Sequence, residues 1–89
     1  MAMAVVQHKV QDYETFRKVY DDFAPQQRAG GVTSASVYQA KDDPNNVLIL
    51  HHFGSAAEAE AFMGNEEPHT AMGRAGVVGE PRIEFFEEA

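Results

Sequence analysis

Apolar and polar positions along the chain fall into seven recognisable stretches. The densest is Val47-Leu48-Ile49-Leu50, a run with no polar break. Read as a strand, it needs cover on both faces. It leads through His51 and His52 to Ser55-Ala56-Ala57-Glu58, the spacing of a capping box, which predicts a helix from Ala56. Upstream, Ala4 to Val10 alternates, with Ala4, Val6, His8 and Val10 on one side and Val5, Gln7 and Lys9 on the other. That is a first strand. Tyr13, Phe16, Tyr20, Phe23 and Gln27 then recur at spacings of 3, 4, 3 and 4, an amphipathic helix with an aromatic face. Asp12 caps it, Glu14 suits the positive end of its dipole, and Gly30-Gly31 stops it. It is expected to run from Tyr13 to about Arg28, loosened by Pro25, which removes a helical hydrogen bond.

Val32 to Ala40, rich in Val, Thr and Ser, predicts a second strand, and the turn formers Lys41 to Asn46 a loop into the third. After the third strand, Ala59, Phe62 and Met63 share one face of the capped helix, and Gly64 ends it. Pro68 suits the first turn of a short helix over Glu67 to Ala75, with Ala71, Met72 and Ala75 inward. Gly76 and Gly79 break that helix, and Pro81 to Glu87 alternates Ile83 and Phe85 against Arg82, Glu84 and Phe86 as a fourth strand. The order predicts one α+β domain over residues 1–89, a ferredoxin-like βαββαβ fold. Right-handed crossovers give a four-stranded antiparallel sheet in the order 4-1-3-2 with the helices on one face. Pairing Val10 near Asn46 puts Ala4, Val6 and His8 on the helix side with His52, Leu50 and Leu48. His51 then points away. Val47, Ile49, Phe53 and Phe86 make the other face apolar, and a second copy of the chain is its simplest cover, giving a homodimer.

Composition removes several classes of function. The chain has 89 residues and a net charge of -7, with 7 Lys+Arg against 14 Asp+Glu. That balance argues against a nucleic-acid partner, whose affinity rests on clustered cations. No apolar run approaches the roughly 20 residues that span a bilayer, so no membrane partner is expected. The N-terminus lacks a basic region followed by a long apolar one, and there is no Cys. The chain reads as soluble and unprocessed, with the cytoplasm as its expected location.

The stretches VQHKVQDYETF, RAGGV, DDPNNVLILHHF, SAAEAEAF and GVVGEPRIEFFEE together resemble the dimeric α/β-barrel superfamily, which includes antibiotic-biosynthesis monooxygenase-like and polyketide cyclase-like proteins. The resemblance spans nearly the whole chain. It implies a homodimer whose sheets close into a barrel, with a small-molecule pocket between sheet and helices in each subunit. Members include cofactor-free oxygenases, cyclases, isomerases, haem-degrading enzymes and proteins of no known activity. The cofactor-free oxygenases typically use a Trp and an Asn, whereas this chain has no Trp. The haem-degrading members use an Asn on the first strand, where Gln7 or His8 stands here, a Trp, and a His at the approximate place of His69. Without the Trp that pattern is incomplete.

His8 stands out among the candidate site residues as the polar ring on an otherwise apolar strand face, where it needs a partner or a ligand. Its ordinary pKa suits it to proton transfer. With His52 it forms the candidate catalytic set. Tyr20 and Tyr38 can present phenol donors to a bound carbonyl, His69 can orient a substrate, and Phe16, Phe62 and Met72 supply apolar contacts. In the expected register His8 and His52 lie four strand positions apart, roughly 13 Å at about 3.3 Å per residue, too far to share a metal ion. With no Cys and no helical His pair, no metal is expected. GVVGEP lacks the following helix that a phosphate site needs, and Ser55 is a cap, so neither nucleotide nor nucleophile chemistry is indicated. These residues and the resemblance point to a tailoring enzyme of secondary or aromatic metabolism, a cyclase or monooxygenase that needs no cofactor and takes a planar apolar ligand. The alternatives are a non-catalytic dimeric binding or stress-related protein and, after it, haem binding or degradation.

Overall fold

Short capping motifs set the helix starts. The Asp12 carboxylate accepts from the Thr15 amide at 3.0 Å and its hydroxyl at 2.8 Å, opening α1 (Tyr13–Asp22). Ser55 Oγ accepts from the Glu58 amide at 3.2 Å and donates to the Glu58 carboxylate, opening α3 (Ala56–Met63). The return bond thus uses the serine hydroxyl instead of its amide. Asn65 caps α4 (Glu66–Arg74), with Pro68 in the first turn. The long helix expected to reach Arg28 is two helices. Pro25, in the first turn of α2 (Ala24–Ala29), has no amide to continue the ladder, and the chain breaks at Phe23.

The computed structural model describes residues 1–89. Its strands β1 (Ala2–Val10), β2 (Ser34–Ala40), β3 (Asp43–Phe53) and β4 (Val77–Glu87) form one antiparallel sheet in the order β2-β3-β1-β4. Read from the other edge, this is the expected 4-1-3-2. The helices pack on one face, in the expected ferredoxin-like arrangement. Two strands are longer than their composition suggested. Asp43 to Asn46 belong to β3, so the expected loop shrinks to a tight turn at Lys41 and Asp42. β4 starts at Val77 and carries Gly79 at φ +74. Its pairing with β1 shifts between Gln7 and Lys9, so the chain bulges opposite His8.

The register of β1 on β3 differs from the expected one by a single residue. Lys9, not Val10, faces Asn46, and Val6 faces Ile49. Side chains alternate with a period of two, so this slip exchanges the faces of β3 throughout. Val47, Ile49 and Phe53 are buried beneath the helices with Ala4, Val6 and Val10. They do not form the open face. His51 joins the helix side and His52 leaves it. Two asparagines hold this register: Asn46 accepts from the Gln7 side chain, and Asn45 accepts from the Tyr13 amide at 2.9 Å. The open face keeps an apolar strip, Met3 and Val5 on β1, Leu48 and Leu50 on β3, and Phe86 on β4, beside the polar Gln7, Arg82 and Glu84. Phe86 is 48% exposed.

Close packing fixes one glycine. A Cβ on Gly30 would stand 2.3 Å from Cδ1 of Phe62, so that ring sits where any other residue would intrude. Gly30→Ala is expected to cost about 1–3 kcal/mol. Thermal unfolding checks this, and an unchanged midpoint would contradict the contact.

Candidate functional site

The sheet and helices enclose a cavity of about 50 Å³. Its floor is Val6 and His8 on β1 with Ile49 and His51 on β3, and its roof comes from all four helices. Phe16 and Tyr20 reach in from α1 and Gln27 from α2. Phe62 and Met63 come from α3, and Ala71 and Met72 from α4. No Asp, Glu, Lys or Arg lines it.

The aromatic stripe of α1 lies along the floor as a row of rings. His8 meets the edge of Phe16 at 5.3 Å, Phe16 stacks on Tyr20 at 5.7 Å, and Tyr20 stacks on His51 at 5.9 Å. Phe62 closes the row edge-on to His51 at 6.0 Å. Tyr20 Oη and His51 Nε2 share a hydrogen bond at 3.0 Å. His8 is 3% and His51 5% exposed. Yet neither nitrogen of His8, nor Nδ1 of His51, has a hydrogen-bond partner. A buried polar group without a partner costs about 1–3 kcal/mol, and native structures carry few of them.

Burial sets the charge state of the site. It pushes the His51 pKa down to about 4, helped by the adjacent His52, and lowers that of His8, whose own main chain offsets part of the effect. Burial raises the Tyr20 phenol, opposed by the Gln27 side chain and by Arg17, whose guanidinium lies 5.6 Å from the ring centre. Around neutral pH the cavity therefore holds two neutral imidazoles and a protonated phenol. An uncharged cavity of this kind favours a neutral guest, and its imidazoles take up a proton only beside a compensating negative charge.

Five of the residues singled out in the sequence meet here: His8, Phe16, Tyr20, Phe62 and Met72. Three do not. His52 lies on the open face of the sheet, in a shallow depression with Met3 and Phe86. Tyr38, opposite Leu48 on that face, is 55% exposed. His69 is exposed on α4. The sequence reading missed His51, which the register hid, and Gln27, which lay in the aromatic spacing but was not given a role. Nowhere do three metal-ligating side chains converge.

The buried imidazoles give stability a pH dependence of known sign. His51 ionises at about 4 in the folded chain against 6.5 for an ordinary histidine, so below about pH 6.5 the unfolded chain binds the extra proton. Stability is expected to fall by roughly 3 kcal/mol from pH 7 to pH 4, and His51→Gln to remove most of that slope. Urea unfolding at stepped pH measures it, and a variant as acid-sensitive as the parent would refute the assignment.

No known protein-family model matches the sequence, and no curated protein does. Solved structures share the fold over nearly the whole chain. An antibiotic-biosynthesis-monooxygenase-like protein of Bordetella bronchiseptica superposes with a TM-score of 0.84 at 8% identity, covering 99% of this chain and 96% of that one. A similar protein of Caulobacter crescentus gives 0.78 at 21% identity, covering 99% and 89%. SnoaB, a cofactor-independent oxygenase from Streptomyces nogalater, gives 0.79 at 14% identity, covering 99% and 92%. At these identities the likeness is one of architecture: this chain shares the ferredoxin-like α+β fold of those antibiotic-biosynthesis-monooxygenase-like structures.

Proposed function

We propose that the protein is a small-molecule tailoring enzyme of the cofactor-independent cyclase or monooxygenase type, in which His8 takes a proton from a planar, largely apolar substrate. One observation carries this reading: a fully buried imidazole with two unpartnered nitrogens, set at the floor of an uncharged cavity. The fold shared with SnoaB supports it. A neutral His8 can accept a proton from an acidic C–H or O–H group, leaving a carbanion or enolate. That anion either attacks a carbonyl of the same molecule, the new alkoxide taking back the proton from His8, or gives one electron to dioxygen. In the second course the ligand radical and superoxide combine, the proton returns from His8 to form a hydroperoxide, and loss of water, which carries off the second oxygen and the remaining hydrogen of that carbon, leaves a carbonyl. The cavity, about 50 Å³, is smaller than the roughly 150 Å³ that holds benzene in an apolar core, so a planar guest requires the lining to spread. That narrowness favours binding without turnover as the second reading.

His8 separates the two. His8→Leu removes two unpartnered nitrogens at similar volume, so it is expected to stabilise the fold by about 1–3 kcal/mol. It is also expected to abolish turnover in a screen of phenols and 1,3-diketones followed by oxygen uptake and product formation. Gain of stability with lost turnover is the mark of a residue kept for chemistry at the cost of the fold. Loss of several kcal/mol would make His8 a structural ring, and retained turnover would move the base elsewhere.

The reading includes a two-fold homodimer. Met3, Val5, Leu48, Leu50 and Phe86 make a partly exposed apolar strip on one face of the sheet, and a self-complementary patch is covered by a second copy. Leu50 stands at its centre and outside the core under the helices. Leu50→Asp is expected to shift a micromolar sedimentation profile from dimer to monomer, and a wild-type monomer at that concentration would overturn the assembly.

A further inference from the structure

Two grooves run along the outside of the helices, between the corner where α1 meets α2 and the helix α4, and they share Phe23, Gln26 and Arg74. Their volumes are about 290 Å³ and about 260 Å³, several times the 50 Å³ of the cavity beside His8. Phe23 is the one residue that lines the cavity and both grooves. Its ring therefore divides the space beside His8 from the space open to solvent. The local chain leaves that ring free to turn. Phe23 ends α1 and precedes α2, so it lies in the interior of neither helix. Its amide is shared between the Val19 and Tyr20 carbonyls, at 3.2 and 3.1 Å, and Pro25 has no N–H to continue the ladder. Phe16 and Phe62 are buried, whereas Phe23 is partly exposed and meets one aromatic neighbour, Phe62, at 6.3 Å. Rotamer changes of partly exposed rings are fast and give up few contacts.

We propose that Phe23 is the gate of the cavity and sets the shape of its ligand: a planar apolar ring that enters past Phe23, joined to an uncharged hydroxyl- or amide-bearing extension that stays in the groove beside α4. This deepens the reading of the same cavity and rests on it for the existence of a ligand. With the Phe23 ring turned outward, cavity and groove become one space, which supplies the room that a planar guest lacks in the cavity alone. The inner part is uncharged and largely apolar and suits the ring. The outer part is polar. Gln26 and Thr70 there both donate and accept, Arg74 donates, and Glu66 and Glu67 accept. A full charge of either sign on the extension meets repulsion as well as attraction in such company, whereas a hydroxyl or amide meets only partners.

Two measurements test the proposal, and neither requires turnover. Access is read with diethyl pyrocarbonate, which labels neutral imidazoles, by mass spectrometry of the peptides that hold His8 and the exposed His69. His8 should react far more slowly than His69 in the wild type. Phe23→Ala should speed the labelling of His8 about tenfold and leave His69 unchanged. Met63→Ala, on the α3 side of the cavity and outside both grooves, should change it less than about twofold when compared at equal stability to urea. Should Phe23→Ala fail to fold, Phe23→Leu is read in its place, with an expected gain of about threefold. No gain at Phe23, or an equal gain in the Met63 variant, overturns the gate. The ligand class is read with three naphthalene-2-carboxamides whose nitrogen carries hydroxyethyl, propyl or carboxymethyl. The hydroxyethyl compound should bind the wild type about fivefold more tightly than the propyl one, the worth of one hydrogen bond, and the carboxymethyl compound no better than the propyl one. The double variant Gln26→Met, Thr70→Val should bring hydroxyethyl and propyl to within about twofold. Tightest binding by the carboxymethyl compound, an unchanged preference in the double variant, or no binding of any of the three at millimolar concentration overturns the proposed ligand. Binding without turnover in the phenol and diketone screen keeps this inference and loses the enzymatic reading, and turnover without naphthamide binding does the reverse.

Discussion

The pairing of β1 with β3 is the constraint on which the molecule depends. Val6 opposite Ile49 and Ala4 opposite His51 decide which half of each strand is sealed under the helices. Phe53, Val6 and Val47 are the largest fully buried side chains, and sealing each contributes about 1.5–3 kcal/mol. Sliding β3 by one residue would expose Val47, Ile49 and Phe53 together and bury Leu48, Leu50 and His52 in their place. Leucines can exchange for valine and isoleucine in the sum, but no aromatic ring replaces Phe53, which meets Phe62 at 5.8 Å. The local bonds of Asn45 and Asn46 add direction at one end of the strand. With core and hydrogen bonds agreeing, the register has one solution.

The cavity follows from that register and from the mismatch of sizes above it. Two of the buried lining positions are alanine: Ala71 on α4 and Ala75 just after it. The large rings are gathered in a row from His8 to Phe62. Small side chains beside a rigid row leave space that close packing elsewhere would remove. The bulge opposite His8 interrupts the ladder to β4 at the same place, and bulges commonly re-aim a side chain at a site. An optimised core would fill this region with leucine. The chain keeps unpartnered nitrogens there instead.

Much of the fold was legible because it is written locally. Capping signals at Asp12 and Ser55, the aromatic spacing of α1, and the alternation of β1 each speak for their own segment, and their order leaves few topologies. The site was half legible for the same reason. Phe16, Tyr20 and Phe62 follow from helical period alone, and His8 from the alternation of a single strand. His51 and His52 could not be separated this way. The stretch Val47-Leu48-Ile49-Leu50 is apolar in both phases, so it carries no information about which phase faces inward, and the choice between neighbouring histidines rests on a pairing forty residues away in sequence. The polar sequence Asp43-Pro44-Asn45-Asn46 misled for a related reason. Turn propensity is local, and it was overridden by pairing with β1 and β2 and by the bonds that Asn46 and Asn45 accept from the Gln7 side chain and the Tyr13 amide.

The electrostatics of the cavity restrict its chemistry more tightly than its shape does. With no ionised side chain in the lining, any charge created inside must be created as a pair, because a lone ion in such surroundings is strongly disfavoured. Moving a proton from a neutral ligand to a neutral imidazole meets this condition, since the imidazolium and the ligand anion appear together and attract one another where the dielectric is low. The low pKa of His51 and the lowered one of His8 make each imidazole a weak base while the cavity is empty. A ligand anion beside His8 reverses that penalty, as an opposite charge favours the protonated ring. On the proposed reading, basicity at His8 would be supplied by the substrate itself, and only by one that spreads negative charge onto an oxygen. A water molecule in the same space offers no such stabilised anion, so both imidazoles stay neutral beside it.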